Sequence, residues 1–123
     1  MLRSFLIVGL GGAAGSMARY GVSFIISKLT NNPFPLATFL INVTGCFLIG
    51  ILYGLADRNT WIQGYGGLLL MSGFCGGFTT FSTFALENMH LANKQLTTTA
   101  IAYTVLSLGI GLLLCRIGIL VAR

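Results

Sequence analysis

Residues 73–84 read Gly-Phe-Cys-Gly-Gly-Phe-Thr-Thr-Phe-Ser-Thr-Phe, in the middle of an otherwise apolar stretch. Glycine is a poor helix former, and consecutive threonines lose rotamer freedom in a helix. The segment reads as a place where a helix opens, although a helix that only kinks and packs its aromatics would use the same residues. Unwound backbone at membrane depth is tolerated only where it is buried in protein or lines a cavity. The carbonyl oxygens it releases can coordinate a cation. Phe81 and Phe84, three apart, can share a helix face. Such a pair ordinarily packs, but an aromatic ring is positive at its edge, so a phenyl edge can also favour an anion that the ring face would repel.

The other polar groups deep in apolar sequence are neutral. Thr38 and Asn42 are one turn apart with Gly45 on the same side, and Thr99, Tyr103, Ser107 and Gly111 form a second stripe at i, i+4 spacing. An amide in lipid must be satisfied, so Asn42 either glues helices together or lines a wet pathway. Together the stripes could replace the water around an anion without holding it as firmly as a fixed positive charge. No catalytic constellation accompanies them. His90 is the only histidine, Glu87 is the only acidic residue near a span, and the serines have no paired base and acid, so the chain is not read as an enzyme. A proton-coupled carrier needs a carboxylate deep in a helix. Glu87 and His90 instead fall toward the end of their stretch, where interfacial water would hydrate them. Cys46, Cys75 and Cys115 lack metal-type spacing and are read as free thiols packed as small apolar residues.

The elements that position these groups must be membrane helices. The chain has 123 residues, 55% hydrophobic and 7% charged, where soluble domains carry about a quarter charged residues. A lone water-soluble domain is excluded, and two acidic residues are too few to solvate a disordered chain. The net charge of +5 comes from Arg3, Arg19, Lys28, Arg58, Lys94, Arg116 and Arg123, scattered singly, which makes no nucleic-acid-binding patch. Crossing a bilayer takes about 20 mostly apolar residues. Four stretches qualify, at about 5–29, 36–56, 65–89 and 96–121, so residues 1–123 form one all-α membrane domain with its third helix broken near the middle. The N-terminus imitates a cleavable signal peptide, but hydrophobicity resumes after Arg19 and makes one continuous span more economical. Arg3, Arg58 and Arg123, with Arg116 near a helix end, fall on one side of the membrane against Lys28 and Lys94 on the other. That imbalance is too small to fix orientation, and it permits an antiparallel homodimer. Glycines recur four apart at Gly11/Gly15, Gly50/Gly54 and Gly73/Gly77, the spacing that lets helix backbones approach closely in lipid. Helices this few enclose little space, so a solute pathway is expected to need a second subunit.

With these residues the chain resembles the Fluc/CrcB family of small fluoride channels. The resemblance runs over nearly its whole length, from Gly11-Gly12 through Gly15 to Arg19-Tyr20, from Asn42 to Gly45, and from Gly73 through Phe84. It implies an antiparallel, dual-topology homodimer with two fluoride pathways and a central structural sodium ion (Na+), held by the backbone carbonyls of Gly76 and Thr79 from both subunits. Phe81 and Phe84 match the phenylalanines that line the pathways, Asn42 matches the pore asparagine, and Ser82 and Thr83 occupy the hydroxyl-bearing segment of the third helix. Thr38, Tyr103 and Ser107 are placed more loosely, by helix and spacing. Arg19 matches a first-helix arginine, which implies a positive vestibule that attracts anions; a snorkelling structural cation is the other reading. The implied function is passive fluoride export across the bacterial plasma (inner) membrane, with no redox or organic cofactor. Two other classes fit the size: a small drug/proton antiporter, and a non-conducting subunit that packs against a larger membrane complex.

Overall fold

The computed structural model describes residues 1–123, all as helices and short turns with no strand. Helix α1 (Leu2–Leu29) begins nearly a turn before the apolar run that predicts it, and α2 (Leu36–Ala56) follows a turn in which Phe34 N–H donates to Asn32 Oδ1 at 2.9 Å. Hydropathy alone gives no sign of α3 (Thr60–Gln63), a single turn started by Asn59, whose Oδ1 accepts from the N–H groups of Trp61 at 3.0 Å and Ile62 at 3.3 Å. The third span is not one helix. It runs as α4 (Tyr65–Gly67), a π-helical segment (Leu68–Cys75) and α5 (Gly76–Phe78), is interrupted at Thr79-Thr80, and resumes as α6 (Phe81–Asn93). After Gln95, the one non-glycine residue with positive φ (59°), α7 (Thr97–Ala122) completes the chain. Four helical segments, Leu2–Leu29, Leu36–Ala56, Tyr65–Asn93 and Thr97–Ala122, are long and apolar enough to cross a membrane.

The break lies later and is narrower than the composition of residues 73–84 suggests. Gly73 to Phe78 remains helical, in wide π turns that close into α5, and only Thr79 and Thr80 leave the helix. The wide turns lie against α1. There Gly11 and Gly15 face the backbone of Leu69, Gly73 and Phe74, and a Cβ on Gly77 would stand 2.5 Å from the Gly12 carbonyl. The second close seam joins α2 to α7, where Gly50 meets the Cys115 carbonyl and Gly54 the Ile119 carbonyl. At the end of that seam where both helices close, Arg123 Nε pairs with Asp57 Oδ2 at 3.1 Å, and the Arg58 guanidinium donates to the Ala122 carbonyl. The ion pair is half exposed and so orients the two ends more than it stabilises them.

Gly118 tests the seam. Its Cβ would lie 2.5 Å from Phe47 O and 2.9 Å from Ile51 N, both backbone atoms that no rotamer change can move. Gly118→Ala is expected to cost about 1–3 kcal/mol through forced separation of the helices, read as a lower unfolding temperature in detergent. Gly21→Ala, where a Cβ meets nothing within 4 Å, should leave the protein as stable or raise it by up to about 1 kcal/mol from helix propensity. Equal behaviour of the two variants would show that the seam is not tight.

Candidate functional site

The interruption at Thr79-Thr80 organises the site. Thr79 (φ −80°, ψ 158°) turns the backbone out of α5, while its N–H and its hydroxyl both donate to Cys75 O, at 3.0 and 2.8 Å, and close that helix end. Thr80 (φ −150°, ψ 122°) starts α6: its Oγ1 accepts from Thr83 N–H at 3.3 Å and donates to Thr83 Oγ1 at 3.2 Å. Serine and threonine are favoured at such N-caps because a side-chain oxygen satisfies a donor the helix cannot.

Asn42 clamps the break at Thr80. Its Nδ2 donates to Thr80 O at 3.0 Å, and its Oδ1 accepts from Thr80 N–H at 2.8 Å. The side-chain amide thus replaces the ladder partners the break removes, and it keeps one N–H uncommitted, since an amide carries two. One turn along α2, the absence of a side chain on Gly45 makes room for the Thr79 methyl. The α1 side supplies the other tie: Arg19 Nε donates to Gly77 O at 3.1 Å and Ser16 Oγ lies 3.5 Å from the same carbonyl. Arg19 is therefore engaged at the closing end of α5, where a cation is favoured by the carbonyl dipoles.

Between α2, the π-helical segment, the start of α6 and α7 lies a cavity of about 410 Å³. Asn42, Phe81, Phe84 and Ser107, expected from sequence to line a pathway, come together on its wall with Thr79 and Gly76. No lining side chain is charged. Ser107 Oγ is buried without a hydrogen-bond partner. Phe81 is 78% exposed and its ring centre is 5.7 Å from that of Phe84, which in turn packs 5.0 Å from the ring of Tyr103.

The remaining predicted residues stand outside that wall. Ser82 and Thr83 belong to the α6 cap beside Thr80, Ser82 exposed and Thr83 half-buried. Thr38 and Tyr103 are buried behind Phe84, and Tyr103 Oη donates to Glu87 Oε1 at 3.3 Å. Glu87 therefore turns inward and is half-buried, where its place near the helix end suggested interfacial hydration; His90 alone is exposed as expected. The partner that turns Glu87 inward sits on another helix, sixteen residues away, and no local spacing reports such a pairing. Thr80, which sequence reasoning missed, did carry a signal: a threonine just ahead of a helical run is an N-cap candidate.

A small polytopic helical membrane protein, with a broken helix beside a cavity of uncharged hydrogen-bonding groups and phenyl rings, has the design of a pathway for an ion rather than of a catalytic site. The profile described as CrcB-like protein, Camphor Resistance (CrcB), matches residues 6–119. A protein named fluoride-specific ion channel FluC from Flavobacterium psychrophilum is 35% identical over 122 residues, covering 99% of this chain and 98% of its own. FluC 1 of Listeria innocua is 42% identical over 120 residues, covering 98% of both, and FluC of Azobacteroides pseudotrichonymphae is 47% identical over 91 residues, covering 74% of this chain and 73% of its own. The chain belongs to the CrcB family.

Proposed function

We propose that this chain is a fluoride-specific channel of the bacterial plasma membrane that lets fluoride leave the cell passively. Family membership and the names of its relatives support the ion; the single structural observation that carries the mechanism is the uncharged cavity walled by Asn42, Ser107, Phe81 and Phe84. Fluoride surrenders a tightly held water shell only where other donors replace it. The spare amide N–H of Asn42 and the free Ser107 hydroxyl provide donors, and the phenyl edges provide weaker positive contacts without the deep well a fixed cation would create. The hydroxyls of Ser82 and Thr83, and Thr38 and Tyr103 behind Phe84, extend the polar surface on the far side of the rings. Arg19 contributes a fixed positive charge near the break while it holds Gly77. Fluoride efflux from liposomes holding only this protein, with chloride as control, tests the reading. Selective fluoride loss is expected; equal movement of both ions, or of neither, would overturn it.

The working unit proposed is an antiparallel homodimer. Only 18 of 123 residues are buried in the single chain, and Phe81 stands out from it, so a second copy has a surface to cover and a pathway to complete. Tags on both termini, probed from each side of the membrane, should report mixed orientation, while a uniform orientation would refute dual topology.

The break also suits a structural sodium ion at the dimer centre. Thr80 N–H, the helical donor to Gly76 O, is diverted to Asn42, and Thr79 turns out of the helix; both residues line the cavity. Gly76 and Thr79 would hold the ion with hard carbonyl oxygens, two from each copy. When bound there, sodium offsets the carbonyl dipoles gathered at the break.

A further inference from the structure

A second chamber, of about 590 Å³, lies at the end of the molecule where α2 gives way to α3, with Tyr53, Gln63 and Tyr65 on its walls. Two residues, Met71 and Ser72, line both this chamber and the neutral cavity. They are consecutive members of the π-helical segment, a geometry that recurs at functional sites. The outer wall is braced: Asn59 caps α3, and Gln63 Nε2 donates to Ala56 O at 2.6 Å. At the rim the Arg3 guanidinium lies over the Tyr65 ring, 4.5 Å from its centre. The other charges at this end are Arg58, which rests on the Ala122 carbonyl, and Asp57, which is paired with Arg123. The rim is therefore net positive.

Taking the fluoride reading above as its premise, we infer that the anion reaches the neutral cavity through this chamber, with Met71 and Ser72 as its throat and Arg3 as the charge that gathers it. Ser72 is exposed to the passage and offers a hydroxyl where water must begin to be exchanged. Met71 supplies an unbranched, flexible thioether that narrows the throat without closing it. Arg3, held over an aromatic ring rather than neutralised by a carboxylate, keeps its attraction for anions in the water outside.

The test is Ser72→Cys in the full-length chain in liposomes, treated with an anionic methanethiosulfonate and with a cationic one of similar size. The adduct is located by peptide mass against the parent, which carries the native cysteines. The throat is expected to react from water, and modification at 72 should cut fluoride flux at least about tenfold by filling the passage. With Arg3→Gln added, the anionic reagent should slow about threefold and the cationic one should not, as loss of one unit charge near the mouth predicts. If the parent conducts while the cysteine of Ser72→Cys stays unmodified, or is modified with flux intact, the route is overturned. Rates indifferent to Arg3 would overturn its gathering role. A parent that moves no fluoride would overturn the proposed function, and labelling by mass, which needs no flux, would still decide whether the chamber is an aqueous approach to the throat.

Discussion

Asn42→Asp is expected to reduce fluoride flux at neutral pH by about two to three orders of magnitude, because a carboxylate about 4 Å from the ion opposes it by about 4 kcal/mol at an intermediate dielectric. The substitution is nearly isosteric, and its structural cost is specific. One carboxylate oxygen still accepts from Thr80 N–H, now the only bond of the former pair, while the other faces the Thr80 carbonyl that the amide had satisfied at 3.0 Å. Asn42→Ala separates the two effects, since it removes the same clamp without adding charge. If repulsion dominates, Asn42→Ala retains far more flux than Asn42→Asp. If both lose flux equally and lose dimer together, Asn42 serves the fold alone. Parent-like conduction by Asn42→Asp would remove the residue from the pathway.

Phe81→Ile should also lower flux steeply while the proposed dimer survives on size-exclusion chromatography. Isoleucine keeps apolar bulk and deletes the aromatic edge. Within one chain the Phe81 ring is mostly exposed and touches little beyond Phe84, so the substitution spares the interior. Phe84→Ile gives the contrasting case, because it also breaks the packing against Tyr103, worth about 0.5–1.5 kcal/mol beyond area. Its loss of flux should come with lower thermal stability, and that of Phe81→Ile without it. Unchanged flux in both would exclude the rings from any contact with the ion.

What the sequence reveals here depends on how local the deciding interaction is. The four spans follow from runs of apolar residues, and both glycine seams follow from spacing along single helices, so they are readable without the fold. The interruption of the third span is readable as composition, but its place is fixed by Asn42, thirty-eight residues away, which takes the Thr80 backbone. Asn42 shows why both readings of a membrane amide stood open: it ties α2 to Thr80 through two hydrogen bonds and also lines the cavity. Arg19 presents the same difficulty, because only the folded chain brings Gly77 O within reach of its guanidinium. The eight π-helical residues carry no sequence signature beyond glycine and serine in apolar surroundings.

The close seams join the first span to the third and the second to the last, and the contacts between the first and second spans are sparse. This interlacing sets the order in which the protein can be made. As spans leave the ribosome and enter the bilayer one after another, the first two have no tight partner in each other, and each must wait with its glycine face toward lipid. The third span resolves the first and meets the second at its break, through Asn42 and Gly45, but the glycine face of the second stays unmatched until α7 is synthesised. A chain halted before α7 would hold one closed glycine seam and one still open to lipid. Packing of so small a protein is thus completed only at its final helix, and the homodimer proposed above would assemble only after that.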